Sequence, residues 1–399
     1  MEKKLEKLGI YIHIPFCVRK CIYCDFYSIC DLSQTDIYVK ALIEQIKSYH
    51  SERKPYLVET IYLGGGTPSL LSGKQVYDII YAVRKTFRVA DDAEITMEAN
   101  PGTLDTEKLN GYHKAGITRL SIGLQSANND ELAMIGRIHT RQDFESSYNL
   151  ARLEGFDNIN IDLMFALPGQ TLQTVLNTID YVISLEPEHI SFYNLILGEE
   201  TPLAQNPELV EKIPDEDLQT EIYMSCAERL EQHGFLQYEI SNFAKPGFEC
   251  HHNLDFWLGH EYLGFGPAAN SIFKGKSHEI PWHFECPKEF LRFLENPTER
   301  FDSEQVDEKD VEKSWTPEFR EFLYIDNHFR TVQGINIENY KKIFKKDFNE
   351  VYLERMKPYM DRNEPEDNQP YILKTPDGYR FSRYGLWKSQ KLVPEIFIL

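Results

Sequence analysis

The stretch Gly9-Ile10-Tyr11-Ile12-His13-Ile14-Pro15-Phe16-Cys17-Val18-Arg19-Lys20-Cys21-Ile22-Tyr23-Cys24 joins a strand-like run, Gly9–Pro15, to three cysteines crowded between positions 17 and 24. The spacing Cys17-x3-Cys21-x2-Cys24 lets three thiolates turn toward one centre from a single short loop. Iron–sulfur clusters ordinarily take four cysteines, so three leave one iron open to chelate the amino and carboxylate groups of a ligand. A structural zinc site built from the same cysteines and His13 is the alternative, although structural zinc ligands usually come as two separated pairs. Nothing around Cys30 marks it as a fourth ligand, and it reads as a bystander.

Working outward, β-rich runs recur at Gly9–Pro15, Thr60–Leu63, Glu94–Ala99, Arg119–Gly123, Asn160–Phe165 and His189–Tyr193. Between them, Asp36–His50, Lys74–Phe87, Leu104–Ala115, Asp143–Glu154 and Leu172–Leu185 return apolar residues every three or four positions, as helices do. Gly116 and Gly155 stand where left-handed caps are expected. Strictly alternating strands and helices imply a parallel sheet with right-handed crossovers. A doubly wound sheet and a barrel both satisfy that alternation. Polar and glycine residues mark each strand: Cys17 after the first, Gly64-Gly65-Gly66-Thr67 after the second, Glu98 and Asn100 at the third, Gln125 after the fourth, Asp162 within the fifth and Asn194 after the sixth. Functional groups at the C-terminal ends of successive parallel strands are the arrangement of a barrel, so the expected fold is α/β, a partial (β/α)6 TIM-like barrel.

Asp215–His233 reads as a further helix closing at Gly234, and Phe235–Phe284 as irregular and aromatic. Helical, charged segments return from Pro287, followed by a polar loop over Asn363–Gln369 and a terminal hairpin around Pro376-Asp377-Gly378. The expected organisation is a core barrel over 1–235, an aromatic segment over 236–290 and a smaller, mainly helical C-terminal domain over 291–399. A chain of 399 residues is long enough for one large domain with a companion.

The formal charge of −20 argues against nucleic acid as a partner, because phosphates repel such a surface. No segment reaches the roughly 18 unbroken apolar residues of a membrane span. The mixed-charge start Met1-Glu2-Lys3-Lys4-Leu5-Glu6 resembles neither a secretory signal nor a transit peptide, which points to the cytoplasm. Seven cysteines, an odd number, do not make a disulfide framework. Cys226, at helical spacing with Leu218, Ile222 and Leu230, reads as core.

The cysteine motif, preceded by Tyr11-Ile12-His13-Ile14-Pro15-Phe16, resembles the radical S-adenosylmethionine superfamily. The resemblance implies a [4Fe–4S] cluster on Cys17, Cys21 and Cys24, with S-adenosylmethionine bound at its open iron. Gly64-Gly65-Gly66-Thr67-Pro68 resembles the superfamily's glycine motif, placing Gly65, Gly66 and Thr67 at the methionine amino group. Met97-Glu98-Ala99-Asn100-Pro101, Ser121-Ile122-Gly123-Leu124-Gln125-Ser126 and Asn160-Ile161-Asp162-Leu163-Met164 are similar to anaerobic coproporphyrinogen III oxidase and its branch. Carried over by motif, Glu98, Gln125 and Asp162 bond the ribose and methionine parts of the cofactor, Arg137 pairs with its carboxylate, and Tyr11 and Tyr23 line the pocket. Read singly, Glu98 or Asp162 is equally a helix cap and Arg137 a solvated charge.

The oxidase has a cysteine where this chain has Phe26, and an N-terminal extension that is absent before Gly9. His252-Asn253-Leu254-Asp255-Phe256-Trp257 instead resembles the H-N-x-x-Y-W heme motif of the heme chaperones of this branch, the HemW family. That resemblance implies heme on His252 and transfer to an acceptor apoprotein, membrane-associated or not, with an electron donor for the cluster. Catalytic residues are left unassigned, and a radical enzyme acting on a porphyrin is the alternative. Phe256 replaces the family's tyrosine, and Asn270 stands where the family usually has histidine. His251 is a neighbour that compensates poorly, and Cys250 reads as packing. Without the resemblance, His252 reads as a hydrogen-bonded core histidine. Phe329-Arg330-Thr331-Val332-Gln333-Gly334-Ile335 resembles the small domain common to chaperone and oxidase.

Overall fold

The computed structural model describes residues 5–52, 56–274, 282–302, 316–361 and 370–398. The polar loop expected over 363–369 and the first four residues lie outside the described residues.

The first half alternates strand and helix: β1 (Glu6–Ile14), α1 (Thr35–Ser48), β2 (Tyr56–Gly65), α2 (Gly73–Thr86), β3 (Val89–Ala99), α3 (Thr106–Ala115), β4 (Arg119–Gln125), α4 (Asn129–Met134), α5 (Arg141–Leu153), β5 (Ile159–Phe165), α6 (Leu172–Ser184) and β6 (His189–Asn194). The helix starts are written in the sequence. Ser72 with Gln75, Thr140 with Asp143 and Thr171 with Thr174 form reciprocal capping boxes on α2, α5 and α6. Gly116 and Gly155 both take φ of 92° after α3 and α5, as their positions predict.

β1 to β6 pair in parallel in chain order, each beside the next. A doubly wound sheet reverses its strand order at a switch point. Here no reversal occurs, so right-handed crossovers lay every helix on one face and the sheet curls away from them, as in a barrel.

Period-two alternation assigns the two faces. Ile10, Ile12, Ile61, Leu63, Ile95, Met97, Leu120, Ile122, Ile161, Leu163, Ile190 and Phe192 are all buried in the core shared with the helices. The alternate positions face the concave side and are polar or aromatic: Tyr11 and His13, Thr60 and Tyr62, Glu94 and Glu98, Arg119 and Ser121, Asn160 and Asp162, His189 and Ser191. Their hydrogen bonds run laterally from strand to strand, from Asp162 to Ser121, from Asn160 to Ser121 and from His189 to Asn160. The interior is a polar site rather than the packed aliphatic core of a closed barrel.

After α7 (Pro207–Val210) and α8 (Glu216–Gln232), the segment expected to be irregular extends both edges of the sheet. β7 (Leu236–Gln237) and β8 (Asn242–Ala244) add antiparallel beyond β6. α9 (His251–Trp257) then crosses to the other edge, where β9 (Tyr262–Phe265) pairs parallel with β1 and is followed by β10 (Asn270–Phe273), β11 (Trp282–Glu285) and, after α10 (Phe290–Glu295), β12 (Phe301–Asp302). The result is a twelve-stranded sheet, open between β7 and β12. α9 lies against the concave face at β2 and β3, where Thr60 and Glu94 bond His252.

The remainder is mainly helical, with α11 (Pro317–Phe329), α12 (Ile337–Phe344), α13 (Phe348–Met360), α14 (Arg383–Trp387) and α15 (Ser389–Phe397) around a three-stranded sheet of β13 (Ile335–Asn336), β14 (Ile372–Lys374) and β15 (Gly378–Phe381). β14 and β15 form the hairpin expected around Asp377. This part has its own core, including Ile325, Phe329, Tyr340 and Phe397. Trp387 ties it to the barrel by stacking on Tyr223 at 4.7 Å and donating to Thr220.

Candidate cofactor and heme site

The cysteines sit on the loop between β1 and α1. Its ends are pinned where Ile29 N donates to Pro15 O at 2.6 Å and Cys17 N donates to Ile29 O at 2.9 Å. All three thiols are partly exposed and free of disulfides. Burial raises the Cys17 and Cys24 thiols, Cys24 to about 11, so bound metal rather than the protein would supply the charge that ionises them. Cys30 is exposed on the returning strand of the loop.

A polar ring closes around the loop. Cys17 Sγ lies 3.7 Å from Thr67 Oγ1, which accepts from Asn100 Nδ2 at 2.8 Å. Asn100 Oδ1 accepts from Arg137 Nη2 at 2.6 Å, and Arg137 Nη1 reaches Cys21 Sγ at 3.7 Å. Arg137 also donates to Gly123 O and bonds Tyr23, which leaves its buried Nε without a partner. The arginine is no solvated charge; it ties the ends of β3 and β4 to the cysteine loop.

Gly65 and Gly66 have a packing role that sequence reasoning missed. A Cβ on Gly65, whose φ is +109°, would lie 2.5 Å from the His13 ring, and one on Gly66 would lie 2.7 Å from Phe16 O. The glycine turn is thus pressed against β1 and the start of the cysteine loop. His13 Nε2 donates to Tyr27 O at 2.9 Å, so Nδ1 accepts from Tyr11 OH at 3.1 Å. Both nitrogens are spent, so the zinc alternative has no imidazole ligand. Among the described residues no three His, Cys, Asp or Glu side chains converge tightly enough for a single ion. Three free thiols on one loop, with an orphaned buried guanidinium nitrogen beside them, fit a cluster on the cysteines and a ligand that brings a carboxylate to it.

Glu98 accepts from Tyr62 OH at 3.0 Å and Gly65 N at 3.1 Å. Burial, with Asp162 nearby, pushes its carboxyl up to about 7. Asp162, held by Ser121 at 2.9 Å and Asn160 at 2.7 Å, is raised too, chiefly by burial. Gln125 sits at a bulge in the pairing of β4 with β5 and takes φ of 70°, a conformation non-glycine residues hold only when the surroundings impose it. Tyr11 and Tyr23 are half-buried phenols raised chiefly by desolvation.

A cavity of about 850 Å³, within the ~300–1,000 Å³ of small-molecule sites, runs along the concave face. It reaches from Lys20 and Phe26 on the cysteine loop, past Tyr11 and Tyr62, to His252 and Trp257 on α9. His252 Nδ1 bonds Thr60 Oγ1 at 2.9 Å and its ring stacks on Tyr62 at 5.2 Å. Burial holds the imidazole down at about 4, neutral and fit to ligate iron. Phe256 is 40 % exposed, while His251 is exposed on α9. Asn270 lines the same cavity. Cys250, whose buried thiol lies 3.5 Å from Glu94, packs beneath α9.

The model of the Radical SAM superfamily matches residues 11–182. The heme chaperone HemW of Haemophilus influenzae is 35% identical over 99% of this chain and 99% of its own length. The chain belongs to the HemW family. The HemW proteins of Escherichia coli and Bacillus subtilis are each 40% identical, over 67% and 66% of this chain and 70% and 71% of theirs. The superfamily implies a [4Fe–4S] cluster and S-adenosylmethionine. The solved coproporphyrinogen III oxidase of Escherichia coli, HemN, a radical SAM enzyme, superposes with a TM-score of 0.79 at 20% identity, covering 99% of this chain and 91% of that one. That likeness shows a shared fold. Among the described residues no helix is long and apolar enough to cross a membrane.

Proposed function

We propose that this protein is a cytoplasmic heme chaperone: it binds heme on His252, carries a [4Fe–4S] cluster on Cys17, Cys21 and Cys24, binds S-adenosylmethionine beside it, and passes heme to an acceptor apoprotein. The observation that carries the reading is the single cavity running from the cysteine loop to His252, whose Nδ1 is engaged by Thr60 and whose Nε2 is left for iron. Residues 1–235 serve as the cofactor barrel, 236–290 as the heme-binding segment and 291–399 as the companion domain. A bound cluster supplies an open iron for the amino and carboxylate groups of S-adenosylmethionine, and takes electrons from a donor protein.

The chain's own residues do the rest. Thr67 and Asn100 hold Cys17 in place, and Arg137 holds Cys21. Gly65, Gly66 and Gln125 shape the pocket wall, with Tyr11 and Tyr23 along it. Glu98 and Asp162 accept hydrogen bonds from the cofactor's ribose and methionine parts.

This assignment has a pH signature. A Glu98 carboxyl near 7, above the ~4.3 of an unfolded chain, favours the fold below that lower value, and the benefit is lost as pH rises through 7. Cofactor binding runs oppositely, because it needs the carboxylate. S-adenosylmethionine affinity should rise about tenfold from pH 6 to pH 8, the change in ionised fraction for a group near 7. Calorimetric titrations of wild type and Glu98→Gln check this: the variant's affinity should be weak and flat with pH, and an equally steep variant would remove Glu98 from the role.

The test of function is transfer. Heme-loaded protein should pass heme to a heme-free acceptor, without forming 5′-deoxyadenosine. The second reading is a radical enzyme acting on a porphyrin, which the same cavity, reaching Lys20 and Phe26 on the cysteine loop, would hold as substrate. Stoichiometric 5′-deoxyadenosine with a tetrapyrrole under strong reductant would favour it.

A further inference from the structure

α9 has seven residues, and its N-cap, Cys250, makes no side-chain capping bond. Its first backbone N–H groups therefore lack a partner from the cap residue. A carboxylate from the concave face of β3 satisfies them instead: Glu94 accepts from His251 N at 3.1 Å and from His252 N at 3.2 Å, while the Cys250 thiol donates to it at 3.5 Å. A negative charge there also complements the helix dipole.

We propose that Glu94 is a positioning residue that fixes α9, and with it the His252 imidazole, on the cofactor barrel; this deepens the heme reading above and rests on it for the role of His252. Three concave-face residues converge on that histidine. In the β2–β3 register Thr60 lies beside Glu94. Glu94 holds the backbone of His252, Thr60 its ring edge and Tyr62 its ring face. Glu98 follows Glu94 by four residues on the same face of one strand, about 13 Å along it. A single rigid strand therefore carries the carboxylate of the cofactor cradle and the one that holds the heme helix. Arg119, 1% exposed on neighbouring β4 with its Nε unpartnered, places a buried positive charge between the two.

The test measures amide hydrogen exchange over 251–257 and heme affinity in full-length holoprotein, comparing wild type, Glu94→Ala and Glu94→Gln. Removing the acceptor should speed exchange of this segment tenfold or more and weaken heme binding about tenfold, with cluster content and S-adenosylmethionine affinity unchanged. Gln keeps one acceptor oxygen, so its exchange should fall between the two. Unchanged exchange in Glu94→Ala overturns the proposal, whatever heme does. Should the alanine variant misfold and lose its cluster, Glu94→Gln decides, and wild-type exchange there overturns the proposal equally. If wild type takes up no heme while Glu94→Ala still frees α9, the heme reading falls and Glu94 stands as the holder of the helix.

Discussion

Replacing Cys21 with alanine should reduce the iron of the anaerobically reconstituted protein from roughly four atoms per chain to background, with the visible absorption of the cluster. The loop offers three thiols, and the next nearest in sequence, Cys30, lies exposed past the hydrogen bonds that close the loop at Ile29. Two thiolates cannot hold a cluster that already leaves one iron without a protein ligand. S-adenosylmethionine binding should vanish as well, because its amino and carboxylate groups need that iron. Arg137 loses its contact with Cys21 but keeps Asn100 and Gly123, so the barrel should still fold. Cys30→Ala should retain full iron. Full iron in Cys21→Ala, or loss in Cys30→Ala, would reassign the ligands.

Gly65→Ala should destabilise the barrel by about 3 kcal/mol, combining the ~1–3 kcal/mol of an imposed left-handed backbone with the ~1–3 kcal/mol of overpacking. The new methyl would lie 2.5 Å from the His13 ring, which bonds between Tyr11 and Tyr27 prevent from swinging aside. Moving the turn to relieve the clash would pull Gly65 N from Glu98 and Thr67 from Cys17. Urea unfolding of the cluster-free protein reads the stability, and cofactor titration the displaced turn. Wild-type behaviour in both would show that the glycine turn is not wedged against β1.

The six core strands were legible because each places aliphatic residues on alternate positions against the helices, and the capping residues of α2, α5 and α6 were equally plain. Their starts were less so: Asp91 and Asp92 sit in β3, ahead of the run expected from Glu94, since a strand end facing water carries no hydrophobic signal. β9 could not be read at all. Tyr262–Phe265 is four residues long, and its pairing with Gly9–Ile12 joins segments some 250 positions apart, which no local pattern encodes.

The site divides the same way. Cys17, Gly65, Glu98 and Gln125 stand at or just past strand ends, where a polar or glycine residue is conspicuous, and Asp162 lies within β5. Glu94, Thr60 and Tyr62 lie mid-strand and Arg119 opens β4, and the same alternation that marks them as concave-facing makes them look like an ordinary solvated face. Only the curvature of the sheet turns that face into an interior. The sequence signal available was the row Glu94, Thr96, Glu98, three polar positions alternating with the apolar Ile95, Met97 and Ala99. Arg137 was visible as a residue but not as a bracket, because its partners come from three different elements.

The most direct measurement is an anaerobic heme titration of the reconstituted protein, followed in the Soret band, with His252→Ala run beside it. Saturable binding by wild type, weakened tenfold or more and spectrally altered in the variant, is the predicted result. No saturable binding, or binding indifferent to the mutation, would contradict the assignment of heme to this cavity.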